Sequence, residues 1–246
     1  MRSCLIQLLL TVAVIFALLW FGLPFGASWL ATNALNAAGF TGTDTKVEVS
    51  ANLPPRILLG HADKVRLTSS QVSVGGLNAA TLDVTLGDVS LFDRTVGTVT
   101  GTLTGVRVPA PDGDPIAIST AALTGAGTAV KSTLTISTAE AQRLAQAQLK
   151  AQTGLVGTVK FASPNGVTIA VNGTTEQAHL VVKPSDPGGG AASGGTLEVV
   201  PVDTSLPTVT LIGAGNGDPF QLSSVAVGAS GVTLVGTIDI QTLLGL

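Results

Sequence analysis

The chain has 246 residues, of which 11% are charged, with a formal net charge of -3 and a pI near 5.2. That charged share is less than half the usual ~25%, and the mild acidity gives no electrostatic reason to expect a nucleic-acid partner. A single cysteine, Cys4, excludes an intrachain disulfide and a cysteine-based metal site.

The N-terminus carries an uncharged apolar run from Leu5 to Leu23, LIQLLLTVAVIFALLWFGL, close to the ~20 residues that span a bilayer core. Arg2 precedes it, and Trp20 and Trp29 sit near its far end, where interfacial aromatics belong. The run predicts a membrane anchor at 1–27, with a cleaved signal segment as the competing reading. Either way, the chain from about residue 30 is expected on the extracytoplasmic side of a cell membrane. Ser28 to Phe40 continues as a short helix or linker, so that 28–45 forms a membrane-proximal piece.

From Lys46 the pattern turns to strands. KVEVS, VRLTSSQVSV, ATLDVTL, TVTGTLTGVRV, IAIST, STLTIS, TVKFAS, GVTIAV, HLVV, TLEVV, SSVAV and GVTLVGTIDI alternate at period two and are rich in Val, Thr, Ile and Leu. Turn signals such as PDGDP and PNG separate them. One segment breaks the pattern, STAEAQRLAQAQLKAQTG from Ser137 to Gly154. Ser137 and Glu140 read as a capping box, Gly154 as the left-handed residue just past the helix end, and the interior holds good helix formers. Ala141, Leu144, Ala145 and Leu149 fall near one narrow face that a sheet can approach closely. SDPGGGAASGG is a flexible loop at 185–195 within one domain spanning 46–246. LPTVTLIGAGNGDPF reads equally as a short helix or an irregular turn. The fold class expected is β-rich α+β.

Catalytic signatures are absent. There is no G-x-S-x-G, P-loop or H-E-x-x-H pattern, and GAGNGDP lacks the glycine spacing and following helix of a dinucleotide site. His61 and His179 read as a strand start and an exposed strand position. Asp112 and Asp114 read as turn residues, and Asp83, Asp88 and Asp93 as solubilising positions. No enzyme activity, cofactor or metal is therefore expected. A sheet around a helix would leave an apolar interior, where burying an acyl chain gains about 0.8 kcal/mol per methylene. The same pattern also describes strands that simply pack one another, and periodicity does not separate the two.

The stretch ANLPPRILLGHADKVRLT, from Ala51 to Thr68, places a greasy turn beside a charge cluster. Together with LGDVSLFDRTVGTVTGTLTGVRV, the AQLKAQTGL helix end and DPFQLSSVAVGASGVTLVGTIDI, it resembles the LmeA-like phospholipid-binding proteins of actinobacterial cell envelopes. The resemblance runs from about Lys46 to the C-terminus. It implies a tubular lipid-binding fold, with a strongly curved antiparallel sheet wrapped around one main helix. It also implies a phospholipid partner, phosphoinositides included, and a part in envelope glycolipid assembly. Many relatives carry Gly-Phe-Pro-Phe where this chain has Ala51-Asn52-Leu53-Pro54-Pro55, and the helix here is rich in Ala and Gln, so lipid preference is open. Under that resemblance Arg56, Lys64 and Arg66 face a lipid headgroup, while Ile57, Leu58, Leu59, Leu144, Leu149, Phe161 and Phe220 border an acyl groove. The other reading of the three cations is solvated edge charges that discourage strand pairing. The other reading of the whole chain is a non-catalytic structural or interaction module of the envelope.

Overall fold

A computed structural model describes residues 40–52, 55–74, 77–90, 93, 95–108, 114–127, 129–183, 195–203, 206–212 and 220–239. The run at Leu5–Leu23, residues 28–39 of the membrane-proximal piece and nearly all of the 185–195 loop lie outside them, whereas Thr41–Thr45, expected at the end of that piece, are already the start of the first strand. Among the described residues, no helix is long and apolar enough to cross a membrane.

Thirteen strands and two helices follow one another along the described chain. They are β1 (Thr41–Ser50), α1 (Pro55–Leu58), β2 (His61–Val74), β3 (Leu77–Ser90), β4 (Thr95–Val108), β5 (Ile116–Ala126), β6 (Ala129–Ile136) and α2 (Thr138–Thr153). After the helix come β7 (Gly157–Ala162), β8 (Gly166–Val171), β9 (Thr174–Lys183), β10 (Thr196–Pro201), β11 (Val209–Ile212), β12 (Phe220–Gly228) and β13 (Gly231–Asp239). The strand order is β1-β2-β3-β4-β5-β6-β13-β12 in an eight-stranded sheet and β11-β10-β9-β8-β7 in a five-stranded one. The β-rich antiparallel architecture with one main helix is the one expected from the alternation.

Two compact units divide the chain, one of residues 1–101 with 125–127, the other of 102–124 with 128–246. In the first, β2 pairs with β1 and with β3 in long antiparallel registers, Glu48 opposite Arg66 and Arg66 opposite Thr85. Register shifts near Thr43, with Asp44 at φ 53°, bend the N-terminal half of β1.

In the second unit, α2 packs against β7 and β11, the two edge strands of the five-stranded sheet, and against β13. Its buried residues are Ala141, Ala145 and Leu149, one stripe at helical spacing. They meet Val159, Val167, Ile169, Leu180, Leu197, Val199 and Val209 from the sheet and Leu222, Val232 and Leu234 from β12 and β13. Small side chains on the helix let the sheet come close, as the sequence expects, although Leu144 is only half-buried.

Two local readings need correction. Val209–Ile212 is the strand β11 rather than a helix or irregular turn, since Val209 is 3% exposed and pairs with Val199 of β10. The capping box is half made. The Ser137 hydroxyl accepts from the Glu140 N–H at 3.2 Å, but the Glu140 carboxylate accepts from the backbone N–H of Ala117 and from Arg143. A neighbouring strand and a cation outcompete the helix's own N-cap amide for the acid. Gly154 takes the left-handed conformation expected, φ 73°, and its N–H donates to the Lys150 carbonyl.

Candidate functional site

The greasy turn of the opening stretch is a single helical turn, α1, with Pro55 at its first position, where a missing N–H leaves nothing unpaired. Leu59 and Gly60 close the turn by donating to the carbonyls of Arg56 and Ile57, with Gly60 at φ 71°. Ile57 is half-buried and Leu59 is 63% exposed. The Leu58 side chain lies outside the described residues.

Side chains alternate along β2, so Lys64, Arg66 and Thr68 share one face and Asp63, Val65, Leu67 and Ser69 the other. The three candidate headgroup cations are thereby split between faces. Arg56 donates to Asp63 at 3.1 Å, and the Asn52 backbone N–H donates to the other oxygen of that carboxylate. Arg56 therefore stands on the side of Val65 and Leu67. Arg66, on the opposite side, forms a two-pronged contact with Asp83 of β3, Nε to Oδ1 at 3.1 Å and Nη2 to Oδ2 at 2.8 Å. Those hydrogen bonds hold the Asp83 carboxyl below its usual range, reinforced by the charges of Arg66 and Lys64. Glu48 faces Arg66 from β1. This face carries Lys46, Glu48, Lys64, Arg66 and Asp83 as interleaved charges of both signs. Asp83 is thus the fork partner of a candidate headgroup arginine rather than an isolated solubilising acid, a pairing invisible until β2 and β3 are in register.

The other face of the same three strands is apolar. Cross-strand register sets Val47 opposite Leu67, Val49 opposite Val65, Val65 opposite Leu86, Leu67 opposite Val84 and Ser69 opposite Leu82. Val47 is 9% exposed, but Val49, Val65, Leu67, Leu82, Val84 and Leu86 are all only half-buried. Among the described residues of this unit, no helix longer than α1 is available to cover them.

The second unit differs. The space beside α2, lined by Ala145, Leu149, Val159, Ile169, Val199 and Val209, is about 10 Å³, enough for roughly one water. Small-molecule pockets run to roughly 300–1,000 Å³. Leu149 is 2% exposed and part of the packed core, Leu144 and Phe161 are half-buried, and the Phe220 side chain lies outside the described residues. At the helix start, Arg143 bonds Glu140 at 2.8 Å, and these hydrogen bonds are the main reason the Glu140 carboxyl sits below its usual range. Asp114 pairs with Arg143 at 3.7 Å, which draws this acid of PDGDP toward the helix, while Asp112 lies outside the described residues. Lys183 pairs with the largely buried Glu198 at 2.6 Å. His61 opens β2 opposite Ser90, and His179 is exposed on β9 opposite Val200. Among the described residues, no three His, Cys, Asp or Glu side chains gather as a metal site requires.

No family model, no curated protein and no solved structure matches this chain.

Proposed function

We propose that the protein is a non-catalytic lipid-binding protein of the cell envelope, tethered by its N-terminal apolar run, which holds phospholipid acyl chains against the apolar face of β1–β3. The observation that carries this reading is the incomplete burial of that face. Six large aliphatic side chains stand half-covered in a continuous patch, while a polar, charge-paired surface backs them. Exposed contiguous apolar area of this kind marks sites of association. The likeness to LmeA-like proteins supports the same ligand class, and with it a curved sheet that encloses apolar ligand. The packed interior beside α2 argues that Leu149 and Phe161 serve the core rather than a groove. Arg56, paired with Asp63 on the side of the apolar face, is then the cation we assign to a headgroup phosphate. Arg66 serves the opposite face through its pair with Asp83, and Lys64 shares that face.

The test is organic extraction of the full chain, purified from membranes of an actinobacterial host, with lipids identified by mass spectrometry against an unrelated membrane-anchored control. Stoichiometric phospholipid is expected, sharply reduced in a Leu67→Gln/Val84→Gln variant and in Arg56→Ala, and unchanged in Lys64→Ala/Arg66→Ala. No enrichment over the control would overturn the reading in favour of a structural or interaction module, which the closed packing beside α2 also fits.

A further inference from the structure

We infer that β1 is a self-complementary edge, through which two copies of the chain join their eight-stranded sheets by antiparallel β1–β1 pairing. β1 ends the strand order, hydrogen-bonded to β2 on one side, and among the described residues nothing pairs with its other side. Open strand edges are templates for further pairing unless bent, charged against it or covered. The N-terminal half of β1 is bent, with register shifts between Thr41 and Lys46 and a positive φ at Asp44. From Lys46 to Ser50 the strand runs in unbroken register with β2 and leaves a flat edge.

Charge and face together select one register on that edge. Side chains alternate between the charged face and the apolar face, so a slip of one residue sets Lys46 or Glu48 on the side of Val47 and Val49. Registers that place Lys46 opposite itself, or Glu48 opposite itself, stack like charges, which directly opposed strands disfavour. Centring the pair on Val47 places each Lys46 opposite Glu48 of the second copy, Val47 opposite Val47 and Thr45 opposite Val49. Both ion pairs then lie on the charged face and the valines on the apolar one. The contact is isologous, the arrangement of a two-fold dimer, and closes on itself. The two half-covered apolar faces become one continuous surface. The pairing needs no lipid on that surface, so the dimer and the lipid-binding reading stand or fall separately.

The test is sedimentation velocity of the full chain in density-matched detergent micelles, so that any contribution from the N-terminal run is common to every variant. Wild type is expected to be dimeric. Lys46→Glu and Glu48→Lys, each of which sets like charges opposite one another twice, should each weaken association by roughly tenfold or more and run as monomers. An equimolar mixture of the two variants restores opposite charges at both positions and should sediment as a heterodimer, which also shows both to be folded. The Lys46→Glu/Glu48→Lys double variant should recover the homodimer. A monomeric wild type, single variants that remain dimeric, or a mixture that fails to associate would each overturn the inference.

Discussion

Replacing Leu149 by Ala tests whether the helix α2 is held by a closed core or lies over an open groove. Leu149 is 2% exposed and touches a space of only about 10 Å³, so the truncation opens a new cavity rather than enlarging an existing chamber. Buried Leu→Ala changes cost about 2.7–5 kcal/mol, the larger values where the surroundings do not collapse into the gap. The neighbours here are Val159, Ile169, Val199 and Val209, β-branched side chains fixed on paired strands with little freedom to move in. A loss of about 3–4 kcal/mol follows. Leu144, five positions earlier and half-buried, should lose only about 1 kcal/mol on the same change. Urea unfolding followed by far-UV circular dichroism reads both, and with a slope of about 3 kcal/mol/M the Leu149→Ala midpoint should fall by roughly 1 M. Equal losses at the two positions, or a loss under about 1.5 kcal/mol at Leu149, would refute the packed-core account and reopen the helix face as a groove.

Ser137→Ala removes the hydroxyl that accepts from the Glu140 N–H and should cost about 1 kcal/mol, with Ser137→Gly or Ser137→Asp recovering most of it in the same urea assay. Glu140→Gln gives a pH signature. The wild-type carboxyl is lowered by its Arg143 hydrogen bonds, so its stabilising share is fully present above the unfolded-state value near 4.5. That share is lost as pH falls through the lowered folded-state value, and the stability difference from Gln should shrink over that acid window while staying flat from pH 6 to 8. Gly231 and Gly154 separate two reasons for glycine. An added Cβ at Gly231, φ 129°, collides with the Ile136 carbonyl, whereas at Gly154, φ 73°, it meets nothing within 4 Å. Gly231→Ala should therefore unfold the β12–β13 hairpin region in hydrogen exchange, while Gly154→Ala costs only the ~1 kcal/mol of a left-handed alanine.

Alternation and capping chemistry made most of the fold legible. The strand runs and the Ser137–Gly154 helix are all found, because period-two and period-3.6 burial leave their mark on composition directly. β11 escaped because four residues after Pro207 are too few for periodicity, and the deciding fact is a partner strand distant in sequence. Glu140 misled for a related reason. S-x-x-E is a local motif, and its acid was claimed by Ala117, 23 residues back, across a contact that only the folded chain creates.

The candidate site was legible as a list of residue types and not as an arrangement. Arg56, Lys64 and Arg66 read as a cluster because they fall within eleven consecutive residues. A strand separates what is adjacent in sequence by turning it to opposite faces, and it joins what is distant by register. Arg66 thus finds Asp83, and Arg56 finds Asp63. The same logic divides the aliphatic residues. Leu67 and Leu149 are equally apolar and equally periodic in their own elements. Yet one is closed over by a helix–sheet core, and the other stands half-covered because its unit offers no comparable helix among the described residues. Whether an apolar face packs or binds depends on what the rest of the chain leaves above it. That is a property of tertiary supply, and no local pattern encodes it. An aliphatic groove in this protein is therefore to be sought where a sheet lacks a helix, on β1–β3, and not where the helix is most conspicuous in the sequence.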